Sequence, residues 1–157
     1  MQRLRRRLRG DRGSVAVEFA IILPVFLILV YGGLSFGLAM SAKSIVTEAA
    51  ADGARAAIGQ STAVAQGQTY SAAELVAQNE AEQVLNNEGT GYKTYAVVTP
   101  TQSIAGDGTC GSSLSAVCVT VSISFPYSAH PAIPNAPGLG LVLPTNVNAA
   151  YTVEVTP

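Results

Sequence analysis

The sequence predicts an α+β protein. A long N-terminal transmembrane helix continues into a small extracytoplasmic domain with a second helix and an antiparallel sheet of about three strands. Three observations predict it. From Phe19 to Ala42 there is no Asp, Glu, Lys or Arg. At ~1.5 Å rise per residue this stretch makes a helix of roughly 36 Å, longer than the ~30 Å hydrocarbon layer of a bilayer. Helical patterning then runs on past Lys43 instead of breaking. Towards the C-terminus, two segments alternate apolar and polar residues with the period of two that marks a strand with one buried face.

Charge orients the chain. Six of the nine basic residues are arginines before Gly13, at positions 3, 5, 6, 7, 9 and 12, against the single acid Asp11. From Ser44 onward two basic residues, Arg55 and Lys93, face eight acidic ones, a net charge of −6. The positive-inside rule puts the N-terminus in the cytoplasm and the C-terminal domain outside it. An acidic, lysine-poor domain argues against a nucleic-acid partner. The arginines directly precede an apolar run, so they read as a topology signal rather than a binding patch. The chain therefore divides into a basic leader (1–13), a transmembrane helix (14–42) and an extracytoplasmic α+β domain (43–157), the last large enough for one modest core.

The junction of leader and span carries the most specific signal. A basic leader, Gly13, four small or apolar residues, Glu18, Phe19 and an apolar helix follow one another. This order resembles the processing site of type IV pilins. More closely, RGSVAVEFAIILPVFLIL is similar to the opening of the TadE-like family of the Tad (tight adherence) pilus system. EAAADGARAA, with Gly53, Ala54 and Arg55, resembles that family's region after the span, and AAYTVEV its closing strand. The resemblance implies a pilin-like fold and a membrane-embedded aspartyl prepilin peptidase as partner, cutting between Gly13 and Ser14. It also implies a minor pseudopilin-like component of Tad or type IVb pilus assembly, held in the inner membrane beside other pilin or pseudopilin subunits. TadE- and TadF-like chains share the feature, and TadG-like chains are usually much longer.

The residue types suit that chemistry. Gly before a scissile bond lets a protease approach the backbone closely. A freed amine on Ser14 opens a helix, and a carboxylate one turn on, Glu18, suits the positive end of the helix dipole. Glu18 could also pair with the amine of a neighbouring subunit inside an apolar bundle, where an unpaired charge is costly. The plainer alternative leaves Glu18 at the headgroup boundary with no specific task. A secretory signal cut after Ser41 is a further competitor, but its apolar core should be shorter.

Within the span, Pro24 removes a backbone donor and predicts a kink. Gly33 and Gly37 form a GxxxG spacing that lets helix backbones pack closely. Beyond it, Asp52 and Arg55 pair at i,i+3, and Ile45, Ala49, Gly53 and Ala56 share a narrow face. Residues 59–70 read as a loop. Ser71 and Glu74 make a capping box for a helix to about Asn86, with Ala73, Val76, Ala77, Ala81, Val84 and Leu85 on its buried side. Its acids Glu74, Glu80, Glu82 and Glu88 read as a solvated face. Gly89–Gly91 turns the chain into an expected strand Tyr92–Thr99 ended by Pro100, with a polar loop on to Gly111. Ala116–Phe125 is the clearest strand, and Val147–Val155 the last. The five prolines of 126–146 exclude a central strand or helix there.

Little catalytic chemistry is on offer. Cys110 and Cys118, the only cysteines, read as a disulfide in an oxidising compartment. His130 stands alone between Ala129 and Pro131, with no second metal ligand at a usual spacing and no nucleophile motif. The expectation is a protein that is not an enzyme and has no metal or cofactor. A different class stays open: an unprocessed, membrane-anchored binding domain whose ligand lies in the proline-rich loop.

Overall fold

A computed structural model describes residues 4–60, 71–89, 91–104, 110, 117–133 and 143–155, with the backbone alone for 4–12, 71 and 104. The architecture is α+β. Helix α1 (Leu4–Ile58) is followed by α2 (Ser71–Asn87), a single turn α3 (Tyr92–Tyr95), and strands β1 (Val97–Ile104), β2 (Val117–Phe125) and β3 (Val147–Glu154). The strands form one antiparallel sheet in the order β1-β2-β3. Compactness divides the chain into Met1–Gly37 and Leu38–Pro157.

In the first unit, α1 runs without interruption from Leu4 through Gly13 and past Pro24. Its large apolar side chains are uncovered, Phe19 at 62% and Leu29 at 69% exposure. A helix apolar all round belongs in a hydrophobic medium or among other helices. It is long and apolar enough to cross a membrane. Ser35 meets its hydroxyl's need locally by donating to the Tyr31 carbonyl at 2.8 Å, a bond one turn back that spares an apolar helix a stray donor.

In the second unit the same helix changes character. Ala39, Ala42, Val46, Ala49, Ala50, Ala54 and Ala57 are buried in one core with Ala73, Ala77, Ala81 and Leu85 of α2. The α2 residues repeat every fourth position, so they form one stripe along that helix. Gly53 sits at the closest approach: a Cβ placed there would stand 2.6 Å from the Ala77 carbonyl oxygen and 2.9 Å from the Ala81 Cβ. Ala39 and Ala42 lie in this core, so the apolar segment ending at Ala42 overlaps the folded unit by its last few residues.

Val119, Val121, Ile123 and Phe125 of the central strand complete the core. Their alternation is the expected one, although Cys118 on the opposite face is also buried. Cys118 and Cys110 lie at disulfide distance, with Cα atoms 5.5 Å apart. Across the outer face, the Thr120 and Thr152 hydroxyls meet at 2.8 Å, a cross-strand pair between β2 and β3.

Several expected details change. Tyr92–Tyr95 is a helical turn rather than strand, closed by Ala96 N–H donating to the Tyr92 carbonyl at 2.8 Å. The strand starts at Val97 and continues through Pro100 to Ile104. Proline is tolerated because β1 is an edge strand, where a missing donor can face outward. Val84 on α2 and Ile45 on α1 are half-buried and pack against the core, while Val76 and Ala56 are half-buried. Gly89 and Gly91, with φ of +133° and +129°, occupy backbone conformations open chiefly to glycine. The expected loop over 61–70, the Ser71 side chain of the capping box, Thr90, most of the 105–116 loop and residues 134–142 lie outside the described residues.

The helix–helix contact makes a direct prediction. Gly53→Val should destabilise the folded unit by about 1–3 kcal/mol, the usual cost of overpacking a filled contact. Gly33→Ala and Gly37→Ala, whose added Cβ meets nothing within 4 Å, should leave stability unchanged or slightly raised. Chemical denaturation of the full chain in micelles, followed by circular dichroism, separates these outcomes.

Candidate functional site

Two places hold residues that could act. The first is the N-terminal half of α1. Gly13, Ser14 and Glu18 are exposed and lie within continuous helix, with no break at the Gly13–Ser14 bond. A Cβ at Gly13 would meet nothing within 4 Å. Glu18 stands four positions after Ser14, which places them one helical turn apart on the same side. Gly33 and Gly37 are likewise exposed and open. The leader arginines' side chains lie outside the described residues.

Further along α1, Lys43 donates its ammonium to the Asn148 carbonyl at the start of β3. Thr47 donates back to the Lys43 carbonyl at 2.7 Å. Arg55 pairs with Asp52 at 2.6 Å, and its guanidinium carbon lies 6.0 Å from the centre of the Tyr151 ring. The i,i+3 pair is the one expected, while the reach to β3 is not legible from spacing. Both charged side chains are substantially exposed, so the pair contributes little to stability.

The second place is a cleft of about 390 Å³ formed by α3, the end of β2 and the turn after it. One helical turn puts Tyr92 and Tyr95 three residues apart on one side of α3. Phe125 and Tyr127 arrive from β2 and the residues after Pro126. The Ala129 and His130 N–H groups both donate to the Pro126 carbonyl at 3.2 Å, and Ser128 N–H donates to Thr145 at 3.0 Å. These bonds curl the chain so that His130 stacks on Tyr95, centroids 3.4 Å apart and planes 12° from parallel. Tyr92 and Phe125 lie 5.0 Å apart at 38°, and Phe125 and Tyr127 lie 6.5 Å apart at 64°.

The phenols here are held neutral. Burial pushes the Tyr92 hydroxyl above its ordinary value, helped by the neighbouring Tyr127 and the Glu88 carboxylate. Burial does the same for Tyr127, partly offset by a backbone hydrogen bond from Ala132. Sequence reasoning singled out His130 and the proline-rich loop but not the four aromatic residues beside them. Among the described residues, no three His, Cys, Asp or Glu side chains stand together as a metal would need. Glu82 accepts a hydrogen bond from Gln78 at 3.0 Å within the polar side of α2.

The chain is thus an α+β protein with one N-terminal apolar helix able to cross a membrane. Residues 13–55 match the family model described as TadE-like protein. The match starts at Gly13 and ends at Arg55, taking in the apolar helix and the stripe that receives α2. No curated protein and no solved structure matches the chain.

The raised phenols give a test of the cleft. A tyrosine whose folded pKa exceeds its unfolded value near 10.0 adds stability that is fully present below that pH. It is lost as pH rises through the folded value. Ultraviolet phenolate titration should therefore show two of the six tyrosines ionising late and together with unfolding. Tyr92→Phe and Tyr127→Phe should each reduce the loss of stability at alkaline pH.

Proposed function

We propose that this chain is a minor pseudopilin-like component of Tad pilus assembly, made with a cytoplasmic leader and cut by a prepilin peptidase between Gly13 and Ser14. The observation that carries the reading is the TadE-like match over residues 13–55, which opens at Gly13. After cleavage, Ser14 becomes the first residue of a helix whose carboxylate Glu18 lies one turn on. In an apolar bundle that carboxylate pairs with the amine of a neighbouring subunit, since either charge alone would be expensive there. Exposed apolar side chains from Val15 to Met40 suit lipid before assembly and other pilin-like helices after it. Gly33 and Gly37 supply an open small-residue face for close helix approach.

In this reading α1 crosses the inner membrane once, with residues 1–13 in the cytoplasm and residues from 43 onward outside. The arginine-rich leader and the acidic remainder of the chain support that orientation. The cysteine pair suits an oxidising compartment. The protein acts through helix packing and its outer domain, not as an enzyme.

A second reading has its own support. The aromatic cleft touches His130 and Pro131 of the proline-rich loop, as an anchored, unprocessed binding domain would require.

Intact-mass analysis of the protein from its native host decides between them. A chain starting at Ser14 is expected for the pseudopilin, and one starting at Met1 for the anchored domain. Gly13→Leu should abolish the cut. Glu18→Gln should leave the cut in place and reduce surface filaments at least tenfold, counted by electron microscopy. Normal filaments in both variants would refute the assignment.

A further inference from the structure

The aromatic cleft has no role in the pilus reading, and its chemistry is specific enough to name a ligand class. Its volume of about 390 Å³ falls in the range of small-ligand sites. Of the rings that line it, Tyr92 and Phe125 are inclined by 38° and Phe125 and Tyr127 by 64°, while Tyr95 and His130 stack at 12°. No Lys or Arg lines the cleft. Glu88 is exposed just past the end of α2, three positions before Gly91, which lines the cleft, and its charge acts on the Tyr92 phenol. The chain from Ser44 onward carries a net charge of −6. Electron-rich ring faces with a carboxylate beside them attract a cation, and quaternary ammonium groups fit such sites because they cannot hydrogen-bond.

We propose that this cleft binds a small organic cation of the alkylammonium class, with Tyr92 and Tyr95 presenting ring surface and Glu88 supplying the opposing charge. Tyr95 is 41% exposed, so its ring is accessible from solvent. The stack on His130 holds that ring in position, and the buried Phe125 and Tyr127 form the floor. The same chemistry is carried by free choline and by a phosphatidylcholine headgroup.

The test uses the full chain in phosphatidylglycerol nanodiscs, with choline as probe and tyrosine fluorescence as readout. A neutral control is dimethylbutanol, in which carbon replaces the quaternary nitrogen. Choline should bind saturably and the neutral isostere more weakly. Tyr95→Ala and Glu88→Gln should each weaken choline binding by roughly 2- to 30-fold, the span expected for a ring–cation contact. Both positions are exposed, so circular dichroism should be unchanged. Glu88→Gln should leave binding of the isostere as it was. Competition by phosphatidylcholine vesicles would identify the headgroup as the source, and saturable binding without competition the free cation; either supports the proposal. Equal affinity for choline and its isostere would overturn it, as would choline binding indifferent to Glu88→Gln or no saturable binding at all.

Discussion

The folded unit depends on how closely two helices of small residues can approach. At Gly53 the α1 backbone comes so near α2 that even a methyl group would collide with the Ala77 carbonyl. Alanines at 73, 77 and 81 on one helix and at 42, 49, 50, 54 and 57 on the other keep the interface thin. Each such contact buries little apolar area, so the gain comes from close packing along a long interface. Val119, Val121, Ile123 and Phe125 supply the bulk that the helices lack. The sheet is therefore needed to complete a core that two alanine-rich helices could not form alone.

Much of this was legible because the relevant signals are periodic or compositional. The uncharged run from Phe19 to Ala42 announces a helix too apolar for water, and alternation through Val117–Phe125 announces a half-buried strand. Gly53 could be placed on the small-residue face, but its contact with Ala77 could not, since that is set by the pairing of distant segments. Tyr92–Tyr95 failed for a definable reason. YKTY has the β-branched and aromatic composition of a strand, yet Gly91 at φ +129° redirects the chain into a turn first. Pro100 misled because proline forbids a central strand, and only the sheet order shows that β1 lies at an edge.

The candidate sites differ in legibility for the same reason. Gly13, Ser14 and Glu18 are contiguous, so their order and spacing can be read directly. The cleft draws Tyr92 and Tyr95 from one segment and Phe125, Tyr127 and His130 from another, brought together by the turn at Pro126. Each aromatic residue alone reads as ordinary core or loop. A lone histidine in a proline-rich stretch offers no spacing from which its stack on Tyr95 could be inferred. Proline-rich segments flanking aromatic strands are nonetheless where such a cleft is worth seeking, since prolines fix the path of the chain over the sheet end.

The change in character along α1 has a functional consequence. Up to Gly37 the helix is clothed in Val, Ile, Leu and Phe that nothing in its own unit covers. From Ala39 its buried face is mostly alanine, with Val46 and Gly53, and is committed to its own core. The two kinds of surface therefore differ in what can cover them. Neighbours along the bulky segment can be exchanged, lipid for helix, at nearly equal hydrophobic cost, because both media are apolar. What then selects a particular neighbour is whatever cannot be satisfied by lipid. Along residues 14–42, Glu18 is the sole charged side chain, and the open glycines at 33 and 37 admit a backbone more closely than any acyl chain can fit. In the proposed pilus reading, specificity would rest on that acid and those two absent side chains.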